Sequence, residues 1–355
     1  MTKYPSKNII DFFPSYCDKN DNLLDFLNKT SQIICNWFSE THELTPLPDV
    51  PKNVCSVPND FGCDSEQLLK EIKKLIYSSF NPSHPGSLAH LDPPPLTVSI
   101  IGDLIAGSLN NNLLAHDLSP SISLLENEIC KWFANKLDFG INSGGITASG
   151  GTLNNLNALV TARNTSGLGD NSDASLIMSK DAHVSFIKCA RILGLKNENI
   201  ILVETDSEGK MSTTSLISSL ERARKCGKKV FAIIGTLGTT IRGAIDPIQE
   251  ISKICRNEKI WFHIDGSIGG VYALSRNCLE ELQNIKYANS ITINPQKILG
   301  ITKTSSVLIV SDFNNLRNTF HTGLPYIDTD DNVINRGELG VQGSRPAEII
   351  KLWLG

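Results

Sequence analysis

Short apolar runs rich in β-branched residues alternate with helical segments from about residue 143 onward. The runs that predict strands span residues 175–178, 200–203, 230–234, 260–264, 291–293 and 306–310. Between them lie amphipathic stretches such as residues 214–226, which predict helices. Continuous apolar strands joined by helices are typical of a mostly parallel sheet covered on both faces. The sequence therefore predicts an α/β fold, in which ligands collect at the carboxyl ends of the strands.

The first 80 residues follow a different pattern. Leu23, Leu27, Ile34 and Phe38 recur at helical spacing, and a proline-rich loop covers residues 46–51. A helix outside the strand–helix alternation must bury its apolar stripe elsewhere. The sequence leaves two options open, a subunit interface and packing within the chain.

The composition narrows the class of protein. The chain has 355 residues, a formal net charge of −4 and no long basic run, which argues against nucleic acid or an anionic membrane as its main partner. It contains neither a signal-peptide core nor an apolar stretch of about 18 residues, so we expect no secretion and no membrane span. Nine scattered cysteines without a C-x-x-C pair predict no metal site and reduced thiols in the cytoplasm.

Two charged residues follow neighbouring predicted strands. Asp265 comes directly after the run at 260–264, and Lys297 follows the run at 291–293 after a turn. A pyridoxal phosphate site needs such a pair, because the lysine forms a Schiff base and the carboxylate keeps the pyridine nitrogen protonated. A lone lysine after a strand is more often an exposed surface residue. The combination with Asp265 favours the cofactor site.

Three further segments fit this site, and each also has a purely structural interpretation. The run SGGT at 149–152 precedes a helical pattern, where its N–H groups favour an anion, but such a run is also a common helix cap. His183 follows a predicted strand, where it can stack on a pyridine ring or cap the next helix. Residues 235–240 form either a plain turn or a turn that places a hydroxyl near the cofactor.

Seven motifs in order resemble the group II pyridoxal-phosphate-dependent amino-acid decarboxylases, the family of the glutamate, cysteine-sulfinate, aromatic amino-acid and 2,4-diaminobutyrate decarboxylases. The motifs are HPGSLAHLDPPP at 84–95, LNNN at 109–112 leading to SP at 119–120, SGGT at 149–152, DAH at 181–183, GTTIRGAIDP at 238–247, HID at 263–265 and NPQK at 294–297. The resemblance covers about residues 70–355.

The resemblance implies the roles of the cofactor-binding residues. Lys297 would be the catalytic Schiff-base lysine, Asp265 the partner of the pyridinium, and His183 a catalytic residue that stacks on the ring. The other implied cofactor-binding residues are Gly150, Gly151, Thr152, Thr240 and Asn294. Gln296 stands where most relatives have a histidine, so we expect weaker retention of the cofactor.

The resemblance also implies a substrate pocket. Tyr326 matches the tyrosine of the family's mobile loop and would donate a proton to the substrate carbon. The implied pocket residues are His90, Leu91 and Asp92, joined by Asn112 and Leu114 from a partner subunit. For Asp92, a role as a turn residue before proline is favoured over substrate contact.

The implied fold is the PLP-dependent transferase fold of the aspartate-aminotransferase type (fold type I), working as a homodimer. In that fold, residues 1–80 would form a helical segment at the dimer interface, residues 81–315 the large cofactor-binding domain, and residues 316–355 the catalytic-loop region and the start of a truncated C-terminal small domain. If the chain ends at Gly355, we expect the apolar segment 349–354 to be a helix start without a partner, and we expect weak activity.

The implied activity is the decarboxylation of an L-amino acid to an amine and carbon dioxide. His90 and residues 110–112 suit an acidic substrate such as glutamate, aspartate or cysteine sulfinate, whereas Asp92 suits 2,4-diaminobutyrate. One alternative is a truncated, weakly active or non-catalytic cofactor-binding paralogue. Another is a decarboxylating aldehyde synthase, which Tyr326 disfavours because such relatives typically carry phenylalanine there.

Overall fold

The protein separates into two compact units, Met1–Pro94 and Pro95–Gly355. The structure is a computed structural model that describes residues 13–17, 19–49, 62–88, 90–275, 277, 280–323 and 334–355. Each unit has its own internal packing. The domain boundaries predicted at residues 80 and 315 stay predictions.

The first unit contains two amphipathic helices, α1 (Asp21–Ser39) and α2 (Ser65–Tyr77), and a short 3-10 turn (Thr41–Glu43). The Asp64 carboxylate accepts a hydrogen bond from the Gln67 backbone N–H at 2.8 Å and so caps α2. The helix predicted from the apolar stripe of the first 80 residues is confirmed as α1. Its predicted role at a subunit interface stays a prediction.

A seven-stranded sheet forms the centre of the second unit. Its strands are β1 (Gly144–Ala148), β2 (Ala174–Ser179), β3 (Ile200–Val203), β4 (Lys229–Thr236), β5 (Trp261–Gly266), β6 (Ser290–Ile293) and β7 (Ser306–Val310). They lie in the order β1-β7-β6-β5-β4-β2-β3. Neighbours from β6 to β3 are parallel, whereas β7 runs antiparallel to β6 and β1. The six predicted strands and the mostly parallel α/β fold are confirmed; the glycine-rich β1 was missed.

Helices cover both faces of this sheet. They are α3 (Thr97–Leu109), α4 (Pro120–Lys136), α5 (Gly151–Thr165), α6 (Ser185–Ile192), α7 (Thr213–Lys225), α8 (Ile248–Glu258), α9 (Asn314–Phe320) and α10 (Ile349–Leu354). Short 3-10 segments span His116–Leu118, Asn197–Asn199, Gly269–Leu274, Glu280–Tyr287 and Arg336–Glu338. None of the described helices is long and apolar enough to cross a membrane.

Side chains alternate between the two faces along each strand, as the period of two requires. On β5, Trp261 packs in the core beneath α5 and α6, whereas Phe262 and Ile264 pack in the core on the opposite face. This alternation places His263 and Asp265 on the face that α5 covers.

The C-terminal helix α10 is buried, so the expectation of a segment without a partner is wrong. Ile349, Ile350 and Leu352 are all less than one-tenth exposed, and α10 packs along α3. A Cβ at Gly102 would lie 2.5 Å from the Lys351 Cα, so glycine is what allows the two helices to approach closely. The partner lies far away in sequence and is not visible from the terminal segment alone.

Candidate active site

The neighbouring strands β4, β5 and β6 each carry a polar residue near the carboxyl end, and the three residues lie side by side in the sheet. Asp265 on β5 is in register with Thr236 on β4 and with Thr292 on β6. Register partners in a sheet point to the same face, so the two threonines flank the carboxylate. Asp265 is buried, and its Oδ1 accepts a hydrogen bond from the Ser267 N–H at 3.1 Å. The sheet therefore presents one buried carboxylate between two hydroxyl groups.

The turn after β6 carries Lys297. The Lys297 N–H donates to the Asn294 carbonyl at 3.0 Å, and the Gly300 N–H donates to the Lys297 carbonyl at 3.2 Å. Gln296 contributes to the same turn, because its Oε1 accepts from the Ser305 N–H at 2.6 Å. Gln296 stands where the resemblance to the decarboxylases predicts histidine. Its amide oxygen fixes the segment after Lys297 through the bond to Ser305.

His183 lies within electrostatic reach of both charged residues. It follows β2 and is half-buried. Burial lowers the pKa of His183, the Asp265 carboxylate opposes that shift, and the Lys297 ammonium adds to it, with a smaller contribution from Lys188. The structure thus brings the three side chains at the centre of the sequence-based hypothesis into one site.

The glycine run at 149–152 joins β1 to α5. Gly150 has a φ of 103°, which glycine adopts without strain, and Gly151 begins α5. A Cβ on Gly151 would lie 2.4 Å from Asn294 Nδ2, so the start of α5 lies directly against the turn that leads to Lys297. Because Thr152 also lies in the first turn of α5, its N–H is among those that have no partner within the helix and favour an anion.

Buried polar atoms that lack a hydrogen-bond partner collect at this edge of the sheet. Among the described residues they include Thr236 Oγ1, Thr292 Oγ1 and Asn294 Oδ1. Buried polar groups are usually paired, so these three atoms fit the polar groups of a ligand, although unpaired atoms also occur in the buried ion pairs of Glu126 with Arg336 and Arg345. A half-turn of the Asn294 amide presents its NH₂ instead of its oxygen. With the start of α5 and the lysine, this set fits a phosphorylated pyridine aldehyde.

A cavity of about 450 Å³ borders His183. Thr240, a predicted site residue, lines it together with the basic side chains Lys180 and Arg242. Lys180 pairs with Glu204 at 2.5 Å. The cavity thus provides room for a small molecule next to the imidazole.

Asn112 and Leu114, predicted for a partner's pocket, make contacts within their own unit. The Asn112 Oδ1 accepts from the Arg345 N–H at 3.2 Å, and its Nδ2 donates to Ser344 Oγ at 3.2 Å. The Leu114 carbonyl accepts from the Gly337 N–H at 3.0 Å. Their contribution to a substrate pocket stays a prediction.

The remaining predicted pocket residues, His90, Leu91 and Asp92, belong to the first unit. His90 and Leu91 have φ values of 63° and 58°, a left-handed conformation that is unfavourable for residues other than glycine. Such strain is often found at ligand-binding segments, and the role of the three residues stays a prediction. Tyr326 lies outside the described residues.

Several polar residues at the site were not predicted as site residues. They are Asn155, Ser185, Thr236, His263 and Thr292. A signal for His263 was present in the sequence, because a residue two positions before Asp265 on a strand shares its face. The others depend on register and on the approach of α5 and α6, which no local pattern reveals.

The amino-acid sequence is similar to those of known decarboxylases. The chain matches the family described as "Pyridoxal-dependent decarboxylase conserved domain" over residues 51–355. It is 31% identical to the aromatic-L-amino-acid decarboxylase of Bacillus atrophaeus over 304 residues, which is 84% of this chain and 63% of that protein. It is also 31% identical to the acidic amino acid decarboxylase GADL1 of Xenopus tropicalis over 336 residues, which is 91% of this chain and 64% of that protein.

The fold is also similar to that of solved decarboxylase structures. The crystal structure of mouse CSAD is similar with a TM-score of 0.87 and 25% identity, over 95% of this chain and 74% of that chain. The chain spans less than two thirds of the length of the two curated relatives named above. Because the family's domain matches most of its length, the chain belongs to the pyridoxal-dependent decarboxylase family.

Proposed function

We propose that this chain binds pyridoxal phosphate and decarboxylates an L-amino acid to the corresponding amine and carbon dioxide. The observation that carries the proposal is the placement of Asp265 near the carboxyl end of β5 and of Lys297 in the turn after the adjacent parallel strand β6, beside the start of α5. When bound, the cofactor supplies the electron sink that allows the bond between Cα and the carboxylate to break.

Lys297 and Asp265 would hold the two ends of the cofactor's pyridine ring. The Lys297 amine would bind the aldehyde covalently. The buried Asp265 carboxylate would accept a hydrogen bond from the pyridine nitrogen and keep that nitrogen protonated, because a charge acts strongly where water is excluded. The Ser267 N–H, which donates to Asp265, orients this carboxylate.

The start of α5 would hold the phosphate. The N–H groups of Gly151 and Thr152 lie in its first turn, where the helix dipole favours a negative charge. Asn294, in contact with Gly151, would donate from its amide. Thr240 would lie near the ring, on the cavity that His183 borders.

His183 would pack on the ring and orient the substrate carboxylate. Burial lowers its pKa, so it is neutral near pH 7 and adds no charge that would favour keeping the carboxylate. Holding the substrate with its carboxylate out of the ring plane is a positioning effect. Tyr326 would return the proton to Cα after carbon dioxide leaves.

The substrate we propose has an acidic side chain, with 2,4-diaminobutyrate as the second candidate. The relatives named above act on aromatic and on acidic amino acids by their names, so the family alone does not decide. Arg242 on the cavity supports an anionic side chain. Lys180 lines the same cavity but is already paired with Glu204, and the Asp181 carboxylate there offsets part of the positive charge. Asp92 supports the cationic alternative.

We also propose a homodimer. The support is an exposed apolar face on α3, formed by Val98, Ile101, Leu104, Ile105 and Leu109. An exposed face on which several apolar side chains adjoin is a common feature of subunit contacts. Light scattering tests the dimer, and a monodisperse monomer would contradict it.

A shared active site follows from the proposed role of Asn112. Mixing subunits that carry Lys297→Ala with subunits that carry Asn112→Ala should restore part of the activity, because one of the two sites in a mixed dimer would then be intact. Activity that stays at the level of the separate variants would contradict a shared site.

The cytoplasm is the location we propose, from the odd number and scattered positions of the nine cysteines. Cell fractionation tests this directly. Recovery in a membrane or secreted fraction would contradict it.

The test of the proposed activity is carbon dioxide release from a panel of amino acids. Purified protein saturated with pyridoxal phosphate is offered glutamate, aspartate, cysteine sulfinate, 2,4-diaminobutyrate and aromatic amino acids, with the Lys297→Ala variant as the control. We expect turnover of an acidic member that depends on Lys297. Cofactor binding without turnover of any member would instead favour the alternative, a weakly active or non-catalytic cofactor-binding protein.

A further inference from the structure

A continuous row of hydrogen bonds crosses the core from β5 to the candidate site. Its members, in order, are Trp261, Ser290, His263, Asn155, Ser185 and His183. The five donor–acceptor separations are 2.8, 2.8, 3.2, 3.1 and 2.9 Å. Every member except His183 is less than one-tenth exposed. The row therefore links a fully buried histidine to the histidine of the site.

The first half of the row has a fixed direction. The Trp261 indole N–H can only donate, so Ser290 Oγ accepts from it. His263 Nδ1 is the member of the row that can accept the Ser290 proton. Burial lowers the pKa of His263 to about 4, so its ring is neutral. With Nδ1 as the acceptor, the single ring proton lies on Nε2. That Nε2–H donates to Asn155 Oδ1.

The second half continues in the same direction. The Asn155 NH₂ donates to Ser185 Oγ, whose own proton goes to His183 Nδ1. The Ser185 backbone N–H also donates to His183 Nδ1, at 3.2 Å. Because a backbone N–H can only donate, Nδ1 is the acceptor, and a neutral His183 carries its proton on Nε2.

The opposite direction is unfavourable at both ends. It would leave the buried Ser290 hydroxyl proton without an acceptor among the members of the row. It would also bring the lone pairs of Ser185 Oγ and His183 Nδ1 together at 2.9 Å, because the Ser185 N–H already requires Nδ1 to be an acceptor. Both ends thus select the same arrangement.

We propose that His263, Asn155 and Ser185 are positioning residues that hold His183 as a neutral imidazole with its proton on Nε2, ready to donate to an anionic group of the substrate. The assignment of a substrate to His183 rests on the proposed function; the tautomer itself does not. Without the row, only the Ser185 backbone N–H would favour Nδ1 as an acceptor, so the tautomer with no donor on Nε2 would be more populated. His263 would therefore act on the site without touching it.

Isotope labelling of the histidines tests the tautomer in the cofactor-free protein. The ¹⁵N shifts of the two ring nitrogens are measured at about pH 8, where histidine is neutral. The His183 signals are identified by their loss in the His183→Gln variant. We expect the Nδ1 of His183 to be unprotonated and Nε2 protonated. A proton on Nδ1 in the unaltered protein would overturn the proposal.

Asn155→Asp reverses the row with almost no change in shape. The carboxylate accepts where the amide nitrogen donated, so the Ser185 hydroxyl turns its proton away from His183. We expect the ratio of the Nε2–H to the Nδ1–H form of His183 to fall by about tenfold, the factor that one net hydrogen bond is worth. The matched control is Asn154→Asp, which buries the same charge one residue earlier, where the amide bonds to Ser306 instead.

If the buried carboxylate of Asn155→Asp prevents folding, two uncharged substitutions at Ser185 test the same point. Ser185→Ala removes one of the two donors to His183 Nδ1 and should lower the same ratio, and Ser185→Thr should restore it. An unchanged ratio in folded Asn155→Asp or Ser185→Ala protein would overturn the proposal, as would an equal change in Asn154→Asp.

Steady-state kinetics test whether the tautomer of His183 affects the binding or turnover of substrate. If His183 donates to a substrate anion, Ser185→Ala should raise KM or lower kcat while binding of pyridoxal phosphate alone changes less than twofold, about the resolution of a titration. A failure to bind pyridoxal phosphate at all would contradict the proposed function and leave the tautomer result standing. Unchanged kinetics in a variant whose tautomer ratio has fallen would overturn the role assigned to His183.

Discussion

Two buried polar regions of the second unit differ in how their groups are paired. At Glu126, on α4, one carboxylate oxygen lies 3.0 and 2.9 Å from the Nη2 atoms of Arg336 and Arg345, and the other lies 2.8 Å from Arg345 Nη1. Burial by itself would raise the pKa of Glu126, but Arg345 and Arg336 hold it at about 2. The charge of Glu126 is thus compensated by two guanidinium groups, although Arg336 Nε and Nη1 and Arg345 Nε have no hydrogen-bond partner there.

The region around Asp265 differs in how its charge is paired. The hydrogen bond described to this buried carboxylate comes from the Ser267 N–H rather than from a guanidinium group. Asp265 and Lys297 both act electrostatically on His183, which borders a cavity. The difference in charge pairing supports a structural role for the cluster at Glu126 and a ligand-binding role for the edge at Asp265.

The largest expected effect is on turnover, and it comes from a substitution in the region around Asp265. Lys297→Ala should lower turnover by at least about a thousandfold, because it would remove the proposed covalent attachment of the cofactor. The unfolding midpoint of the cofactor-free protein should stay nearly unchanged. Lys188→Ala is the control, since this exposed lysine also acts electrostatically on His183. Equal losses in the two variants would mean that Lys297 contributes only charge.

Glu126→Gln should act on stability instead. It leaves two buried guanidinium groups without a counter-charge, which should lower the free energy of unfolding by about 3–5 kcal/mol. Glu128→Gln is the control, because the ion pair of Glu128 with Lys131 is exposed and should contribute less than about 1 kcal/mol. Urea titration measures both. A Glu126→Gln protein as stable as the control would contradict the structural role.

Acid should weaken the region behind Asp265 through His263. Burial lowers the pKa of His263 from 6.5 to about 4, so its neutral form contributes stability that is fully present above about pH 6.5 and is lost as the pH falls through 4. Between about pH 6.5 and 4, the unaltered protein should lose about 3 kcal/mol more than His263→Gln, as the lowered pKa implies. Parallel stability curves for the two proteins would show that His263 titrates normally.

The smallest effect concerns the contact between α5 and the lysine turn. Gly151→Ala would place a Cβ 2.4 Å from Asn294 Nδ2, and the required shift should weaken cofactor binding by about tenfold, the equivalent of about 1.4 kcal/mol. Gly169→Ala is the control, since a Cβ there meets no atom within 4 Å. Fluorescence titration with pyridoxal phosphate measures both affinities. Equal affinities would remove Asn294 from the proposed phosphate site.

Much of the sheet could be predicted because its strands are continuous apolar runs. The strand β1 was missed because Gly144 and Gly145 give no apolar signal; the structure explains them, since a Cβ on Gly145 would lie 2.1 Å from the Leu308 carbonyl oxygen of β7. The antiparallel direction of β7 was also not predictable from its own residues. Strand existence is local, whereas pairing depends on residues far away in sequence.

In the candidate site, too, the local features could be predicted from the sequence and the long-range contacts could not. Asp265 and Lys297 were predictable, because each follows an apolar run and their chemistry suits one cofactor. The hydrogen-bond row was not, since Asn155 reaches His263 and Ser185 only after α5 and α6 pack on the sheet. The sequence therefore indicates which residues are candidates for the chemistry, and the structure is needed to see what holds them.

The most direct test of the account is to locate the cofactor on the chain. Protein loaded with pyridoxal phosphate is reduced with borohydride and digested, and the peptide that carries the pyridoxyl group is identified by mass spectrometry. We predict a single labelled peptide, with the label on Lys297, and no labelling of that peptide in Lys297→Ala. Stable labelling of another lysine, or no cofactor uptake by the folded protein, would contradict the assignment of the edge around Asp265 as the active site.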